Sequence, residues 1–350
     1  MQFHGGQVRD LLDHPVCCDR LADTAGSAHP GRRQLLKAAV FGSPGDQSPA
    51  AQAVDEEDVD DRPPRAVTGT ILDVSPHILV LAVGETEQRF ALSASSKAWR
   101  GAPVPPAALG HGAWAMVRRH HSRASVADRI WAGAGRATGT IIERNGGTLL
   151  VDEGETRGRK ILIIPDHALG RIQVRFPRLE PGYLIDVIGL RREGFLQGLT
   201  PATSQPAYRA DHTPRSPLVS GHVPATITGA ATWHEPGEEP DGLPGIAYPA
   251  LDPETGCEEQ TVPGAAGAGC IRLPYLSVGS QLRVRNNCAN RSQLLPVIGC
   301  GAVARLFCDR CVICDTSPRG RVADLTMSSF VELGGELETG CFSATITIGG

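Results

Sequence analysis

Residues 66 to 200 carry one sequence pattern twice, and this repeat constrains the fold of the 350-residue chain more than any other feature. The offset between the two copies is constant at 70 residues. Two copies are too few for a solenoid, in which each repeat is stabilised by stacking on its neighbours. The matching segments are 66–71 with 136–141, 78–81 with 148–151, 84–86 with 154–156, and 112–117 with 182–187.

Each copy opens on T-G-T-I, continues through a glycine-containing turn and closes on a G-x-x-x-x-V segment. The chain has 41 glycines, 27 prolines and only 5% aromatic residues, which favours short strands and many turns over long helices. The pattern is similar to that of oligonucleotide/oligosaccharide-binding barrels. We therefore predict two small β-barrels in tandem, at 66–135 and 136–200.

Eight of the ten cysteines fall in the last hundred residues, which is a density typical of a disulfide-stapled domain in an oxidising compartment. Eight cysteines allow 105 pairings, and the sequence does not choose among them. The alternative is a zinc knuckle, because three of the cysteines have C-x-x-C spacing. We predict four disulfides, no metal and no cofactor, with these candidates: Cys257, Cys270, Cys288, Cys300, Cys308, Cys311, Cys314 and Cys341.

The N-terminal 65 residues contain an export-like segment and an acidic linker. The segment G-R-R-Q-L-L-K at 31–37 resembles the twin-arginine export motif, and A-Q-A at 51–53 suits a cleavage site. The alternative is a helix that merely carries two arginines. The acidic, proline-containing run at 54–65 predicts a solvated linker, and a second proline-rich linker is predicted at 201–224. We assign no role to Cys17 and Cys18.

The C-terminal part, 225–350, reads as a helix packed on β-structure. Thr326 is placed to cap a short helix by accepting from the backbone N–H of Ser329, and 334–335 is a Gly-Gly stop. The helix has one apolar face, and 343–348 alternates as a half-buried strand does.

This part of the chain resembles the double-psi β-barrel of the rare lipoprotein A, expansin and barwin group. The resemblance rests on four segments. They are D-R-C-x-x-C at 309–314 with Cys308 before it, G-R-V-A-D-L-T at 320–326, G-A-A-T-W-H at 229–234, and L-P-Y-L-S-V-G-S at 273–280 with the strand after it. Members of that group bind or cut cell-wall polysaccharide. The resemblance implies a disulfide-rich, six-stranded double-psi barrel, so that the fold class of the whole chain is all-β.

The resemblance also implies a site. Lytic members use an acid at the position of Asp309 as general acid, supported by a His that would fall at or near Cys270 here, so this chain departs from the catalytic pattern. Asp309 also suits a structural role in a tight turn, and Asp315 is an alternative acid. The residues predicted to contact a ligand are Trp233, His234, Tyr275, Asp309 and Asp324.

We expect an exported protein, extracellular or at the envelope of a bacterial cell, whose third barrel binds glycan or peptidoglycan without cutting it. One alternative is a lytic transglycosylase or glycosidase that uses Asp309; another is a protease-inhibitor-like or structural protein with a secreted partner. The net charge of −4 and the missing aromatic platforms argue against nucleic acid, although 118–123 is basic. No stretch approaches the ~18 apolar residues of a membrane span.

Overall fold

The computed structural model describes residues 65–154, 156–207, 209–212, 226–235, 242–251, 270–271, 273–301, 303–311 and 319–348. The predicted export motif, cleavage site, Cys17, Cys18, Cys257, Cys314 and Asp315 lie outside the described residues. The described part is all-β with three closed small barrels, which confirms the predicted fold class. Among these residues no helix is long and apolar enough to cross a membrane.

The first barrel closes around an aliphatic core. β2 lies between β1 and β3, β3 pairs in parallel with β6, and β6, β5 and β1 follow in antiparallel order, so the circuit returns to β2. Its strands are β1 Ala66–Val74, β2 Ile78–Val83, β3 Thr86–Trp99, β4 Pro103–Val104, β5 Trp114–His120 and β6 Arg123–Ala132. The short β4 extends the edge of β3.

The second barrel repeats this circuit with one helix inserted after its third strand. β8 lies between β7 and β9, β9 pairs in parallel with β11, and β11, β10 and β7 complete the closure. Its elements are β7 Ala134–Asn145, β8 Thr148–Asp152, β9 Arg159–Ile163, α1 Asp166–Arg175, β10 Leu184–Arg192 and β11 Phe195–Pro201. The parallel pairing of third and last strands is that of an oligonucleotide/oligosaccharide-binding barrel.

The 70-residue offset holds at the level of strand register. Ile71 pairs with Leu81, and Ile141 pairs with Val151. A bulge follows Ile71 in the first barrel and Ile141 in the second. The two copies are therefore the same barrel, strand by strand.

The T-G-T-I motif has a steric cause. A Cβ added to Gly69 would lie 2.2 Å from the carbonyl oxygen of Ala82, and one added to Gly139 would lie 2.0 Å from that of Asp152. Only glycine lets the first strand approach the second this closely, just before the bulge. The motif recurs because the same close approach recurs.

The third barrel has six strands in the closed order β12-β16-β13-β15-β14-β17. Its elements are β12 Thr226–His234, β13 Ile246–Tyr248, β14 Gln281–Asn286, β15 Arg291–Cys300, β16 Arg321–Thr326, α2 Met327–Glu332 and β17 Cys341–Ile348. β12 pairs in parallel with β16, and β13 pairs in parallel with β15. Exchanging β12, β13 and β14 for β15, β16 and β17 leaves every pairing unchanged, so the topology has an internal two-fold relation.

Helix α2 is capped as the sequence predicts. The hydroxyl of Thr326 accepts from the N–H of Ser329 at 3.3 Å, and Met327, Phe330 and Val331 are buried. A disulfide joins Cys270 to Cys308, and Cys288 and Cys300 are disulfide-bonded as well. Because an oxidised sulfur is not a thiolate ligand, Cys308 is not available to a zinc knuckle.

Candidate functional site

Four of the five residues predicted to contact a ligand are buried where the second and third barrels meet. Trp233, Asp309, Asp324 and His234 are at most 4% exposed, whereas Tyr275 is 55% exposed. Asp309 follows the 3-10 turn after β15, and the other three buried residues lie on β12 and β16. The candidate site is therefore a charged junction inside the molecule, which we call the ionic junction.

Asp309 is held by an arginine from its own barrel. Arg321 on β16 donates from Nε to Asp309 Oδ2 at 2.8 Å, and its guanidinium lies 3.7 Å from the ring centre of Phe307. The same guanidinium reaches the second barrel, where it donates to the hydroxyl of Thr138 at 2.9 Å and to the carboxylate of Asp186. One fully buried arginine thus ties Asp309 to the neighbouring barrel.

Asp186 on β10 is shared by two arginines. Arg136 on β7 binds it with two hydrogen bonds of 2.7 Å, and Arg136 also donates to the carbonyl of Gly340 at 2.7 Å. The junction therefore holds two guanidinium groups and two carboxylates, all buried. Pairing of opposite charges offsets the free-energy cost of removing them from water, which for an isolated buried ion would not be offset.

Burial raises the pKa of Asp309, and the nearby carboxylate of Asp186 raises it further, while Arg321 opposes both effects. The second oxygen of Asp309, Oδ1, is buried and has no hydrogen-bond partner among the described residues. A general acid must reach the leaving oxygen of its substrate. In this structure Asp309 Oδ2 accepts its hydrogen bond from the guanidinium of Arg321.

Asp324 forms a second cluster at the edge of the junction. Its Oδ1 accepts from the hydroxyl of Thr232 at 2.9 Å, and its Oδ2 accepts from Arg157 at 2.7 Å and lies 3.8 Å from Nδ1 of His234. Burial alone would raise the pKa of Asp324, but Arg157 and the other cations hold it well below its usual range. Asp324 is thus a carboxylate whose partner comes from the second barrel.

A third cluster joins the same two barrels beside the end of β12. Glu235 accepts a hydrogen bond from Lys160 at 3.2 Å and forms an ion pair with Arg191, with 2.9 Å between Nε and Oε2. Lys160 also pairs with Glu153 at 3.1 Å, and burial raises the pKa of Glu153. Burial would raise the pKa of Glu235 too, but Lys160 and Arg191 lower it below its ordinary value.

These contacts cover the face that barrels of this kind use for ligands. That face is formed by the second and third strands of the barrel and the adjoining loops. In the second barrel those strands are β8 and β9, and they and the turn between them supply Arg157 to Asp324 and Lys160 to Glu235 of the third barrel. The second barrel therefore uses this face to hold its neighbour.

The basic run at 118–123 is partly neutralised within the molecule. Arg118 pairs with Asp128 at 3.0 Å and with Glu336 at 3.2 Å, whereas His121 and Arg123 are exposed. Glu336 lies between α2 and β17, so the first barrel is also joined to the third by ion pairs.

Sequence reasoning missed the second-barrel half of the junction, although a signal existed. Arg136 and Asp186 stand where the first copy has Ala66 and Met116, 70 residues earlier. A charged pair that replaces apolar residues in one copy of a repeat indicates a partner that only that copy has. The described residues contain no group of three His, Cys, Asp or Glu placed to hold a metal.

Tyr275 lies in a segment that is hydrogen-bonded to the third barrel on both sides of it. The hydroxyl of the buried Tyr248 donates to the carbonyl of Pro274 at 3.0 Å, and Leu276 donates its N–H to the carbonyl of Ala250. The exposed ring of Tyr275 is therefore held at the surface, away from the buried cluster of predicted residues.

No family model and no curated protein matches the chain. Among solved structures, one match is a multidomain protein with nucleic acid binding domains from Streptococcus pneumoniae, at 11% identity over 73% of this chain and 72% of that chain. Its TM-score is 0.14, and at that value the likeness carries no argument about fold or function.

Proposed function

We propose that this chain is an exported, non-catalytic carbohydrate-binding protein of the cell envelope or the exterior, and that its third barrel carries the binding surface. The observation that carries the non-catalytic part is the state of the two acids at the predicted site. Asp309 and Asp324 are both buried, and each is paired with a guanidinium group. Glycosidic cleavage needs an acid beside the leaving oxygen and a second group for water or the sugar cation.

The carbohydrate part of the proposal rests on the double-psi assignment. The six-stranded closure and the internal two-fold relation of the strand pairing support a barrel made of two interlocked halves. The motifs at 229–234, 273–280 and 320–326 supply the resemblance to proteins that handle cell-wall polysaccharide. The disulfide between Cys270 and Cys308 supports an oxidising compartment.

The test is a pull-down of the purified chain with insoluble peptidoglycan, cellulose and chitin, followed by analysis of the supernatant for released fragments. We expect the protein in at least one pellet and no soluble muropeptide or oligosaccharide. Release of fragments that stops in Asp309→Asn, in a variant shown by circular dichroism to be folded, would overturn the non-catalytic assignment. Absence from all three pellets would count against the ligand class.

A further inference from the structure

The outward faces of β12, β17, β14 and β15 form one continuous polar surface on the third barrel. The strand register aligns their side chains in two rows across the four strands. We call this surface the threonine–arginine face. One row is Thr226, Thr347, Arg283 and Leu294, and the other is Thr228, Thr345, Arg285 and Ser292.

Alternation along β12, β17 and β14 creates most of this face. Ile227, Ile346 and Val284 lie between the outward residues of these strands and are buried in the barrel core, whereas on β15 the intervening Gln293 is half-buried. Every member of the two rows is exposed or half-exposed. Neighbouring strands lie about 4.8 Å apart, so each row extends about 14 Å across the sheet.

The face is polar and partly pre-ordered. The hydroxyls of Thr228 and Thr345 lie 3.1 Å apart, and the side-chain amide of Asn287 donates to Thr345 at 3.2 Å. Arg285 is oriented by Asn290, whose side-chain oxygen accepts from it at 2.5 Å. Hydroxyl groups that both donate and accept suit a ligand rich in hydroxyls.

The charge of the face is one-sided. Neither row contains an aspartate or a glutamate, although the whole chain carries a net charge of −4. Among the described residues Arg283 makes no ion pair and no side-chain hydrogen bond, unlike the arginines of the ionic junction. Guanidinium groups bind carboxylate and phosphate through paired hydrogen bonds.

We propose that the threonine–arginine face binds an acidic polysaccharide, with Arg283 and Arg285 on its anionic groups and the threonines on its sugar hydroxyls. This inference rests on the proposed function and places the binding on the outer face of the third barrel and not on the buried acids Asp309 and Asp324. The two rows contain no aromatic ring. Proteins that bind single-stranded nucleic acids without sequence preference stack the bases on aromatic side chains. The charge and the hydroxyl array therefore favour a carbohydrate over a nucleic acid.

The experiment measures binding of the full chain to polygalacturonate, to neutral dextran and to a single-stranded oligonucleotide, at low and high salt. We expect binding to polygalacturonate that weakens with salt. Arg283→Gln with Arg285→Gln should weaken it by about tenfold or more, because a hydrogen bond to a charged group is worth roughly 1.5–3 kcal/mol. Thr228→Val with Thr345→Val should weaken it by about threefold or more through the lost hydroxyls.

The matched control is Arg89→Gln with Arg123→Gln, which removes two exposed arginines from the first barrel and should leave binding unchanged. Glycan binding that survives the loss of Arg283 and Arg285 overturns this face while leaving the proposed function standing. Equal loss in the control pair points to general charge attraction and also overturns it. Binding of the oligonucleotide alone, or of none of the three polymers, overturns this face, whereas the pull-down with peptidoglycan, cellulose and chitin decides the proposed function separately.

Discussion

At the scale of single residues, Gly69 and Gly139 are required by the backbone that faces them. Replacing either one by alanine would place a Cβ against a carbonyl oxygen of the neighbouring strand. We expect Gly69→Ala and Gly139→Ala each to lower the free energy of unfolding by about 3 kcal/mol or more, since backbone on both sides must shift. Urea denaturation measures this loss.

The control is Gly170→Ala in α1, where an added Cβ meets no atom within 4 Å. Alanine is the better helix former, so this variant should gain about 0.5–1 kcal/mol. A loss of no more than about 0.5 kcal/mol at Gly69 or Gly139, the usual size of a surface substitution, would show that the strand pair can relax around a methyl group.

At the scale of elements, the turn between β8 and β9 delivers Arg157 to Asp324. Gly154 and Gly158 flank the turn with positive φ values of 93° and 67°. Arg157→Ala leaves a buried carboxylate without its cation, and we expect a loss of about 3 kcal/mol at pH 7. The folded-state pKa of Asp324 lies below its unfolded value, so the stabilisation is present above about pH 4 and is lost as the pH falls.

Thermal denaturation of both proteins between pH 7 and pH 3 checks this expectation, and the gap between them should narrow toward the acid end. The matched control is Arg159→Ala, two residues along and exposed, with an expected change within about 0.5 kcal/mol. A gap that stays constant with pH would mean that Arg157 stabilises through packing and not through the charge of Asp324.

At the scale of the whole molecule, ion pairs join all three barrels, because Asp186 binds arginines of the second and third barrels and Glu336 binds Arg118 of the first. Unfolding of one barrel would leave buried charges in another barrel without their partners. We therefore expect a single calorimetric unfolding transition, moved down as a whole by Asp186→Asn. Separate transitions, of which Asp186→Asn moves only one, would show that the barrels are energetically independent.

Much of the fold could be predicted from the sequence because its causes are local. The glycines of the T-G-T-I segments are required by a close approach between neighbouring strands. The cap of α2 joins Thr326 to a residue three positions later. Alternation along 343–348 likewise indicated a half-buried strand, which forms the end of β17. Repeated local requirements are visible as a repeated sequence, and so the offset of 70 residues predicted the paired barrels.

What the sequence by itself determined, then, is the three barrels and the oxidised cysteines that include Cys270 and Cys308. Only the tertiary structure decided the surroundings of the predicted site. Asp324 meets Arg157 across 167 positions, and Arg321 meets Asp186 across 135. Such pairs produce no periodic pattern in the local sequence, because the packing of one barrel on another determines which residues meet. The same packing buries Asp309 and Trp233 and leaves the threonine–arginine face open.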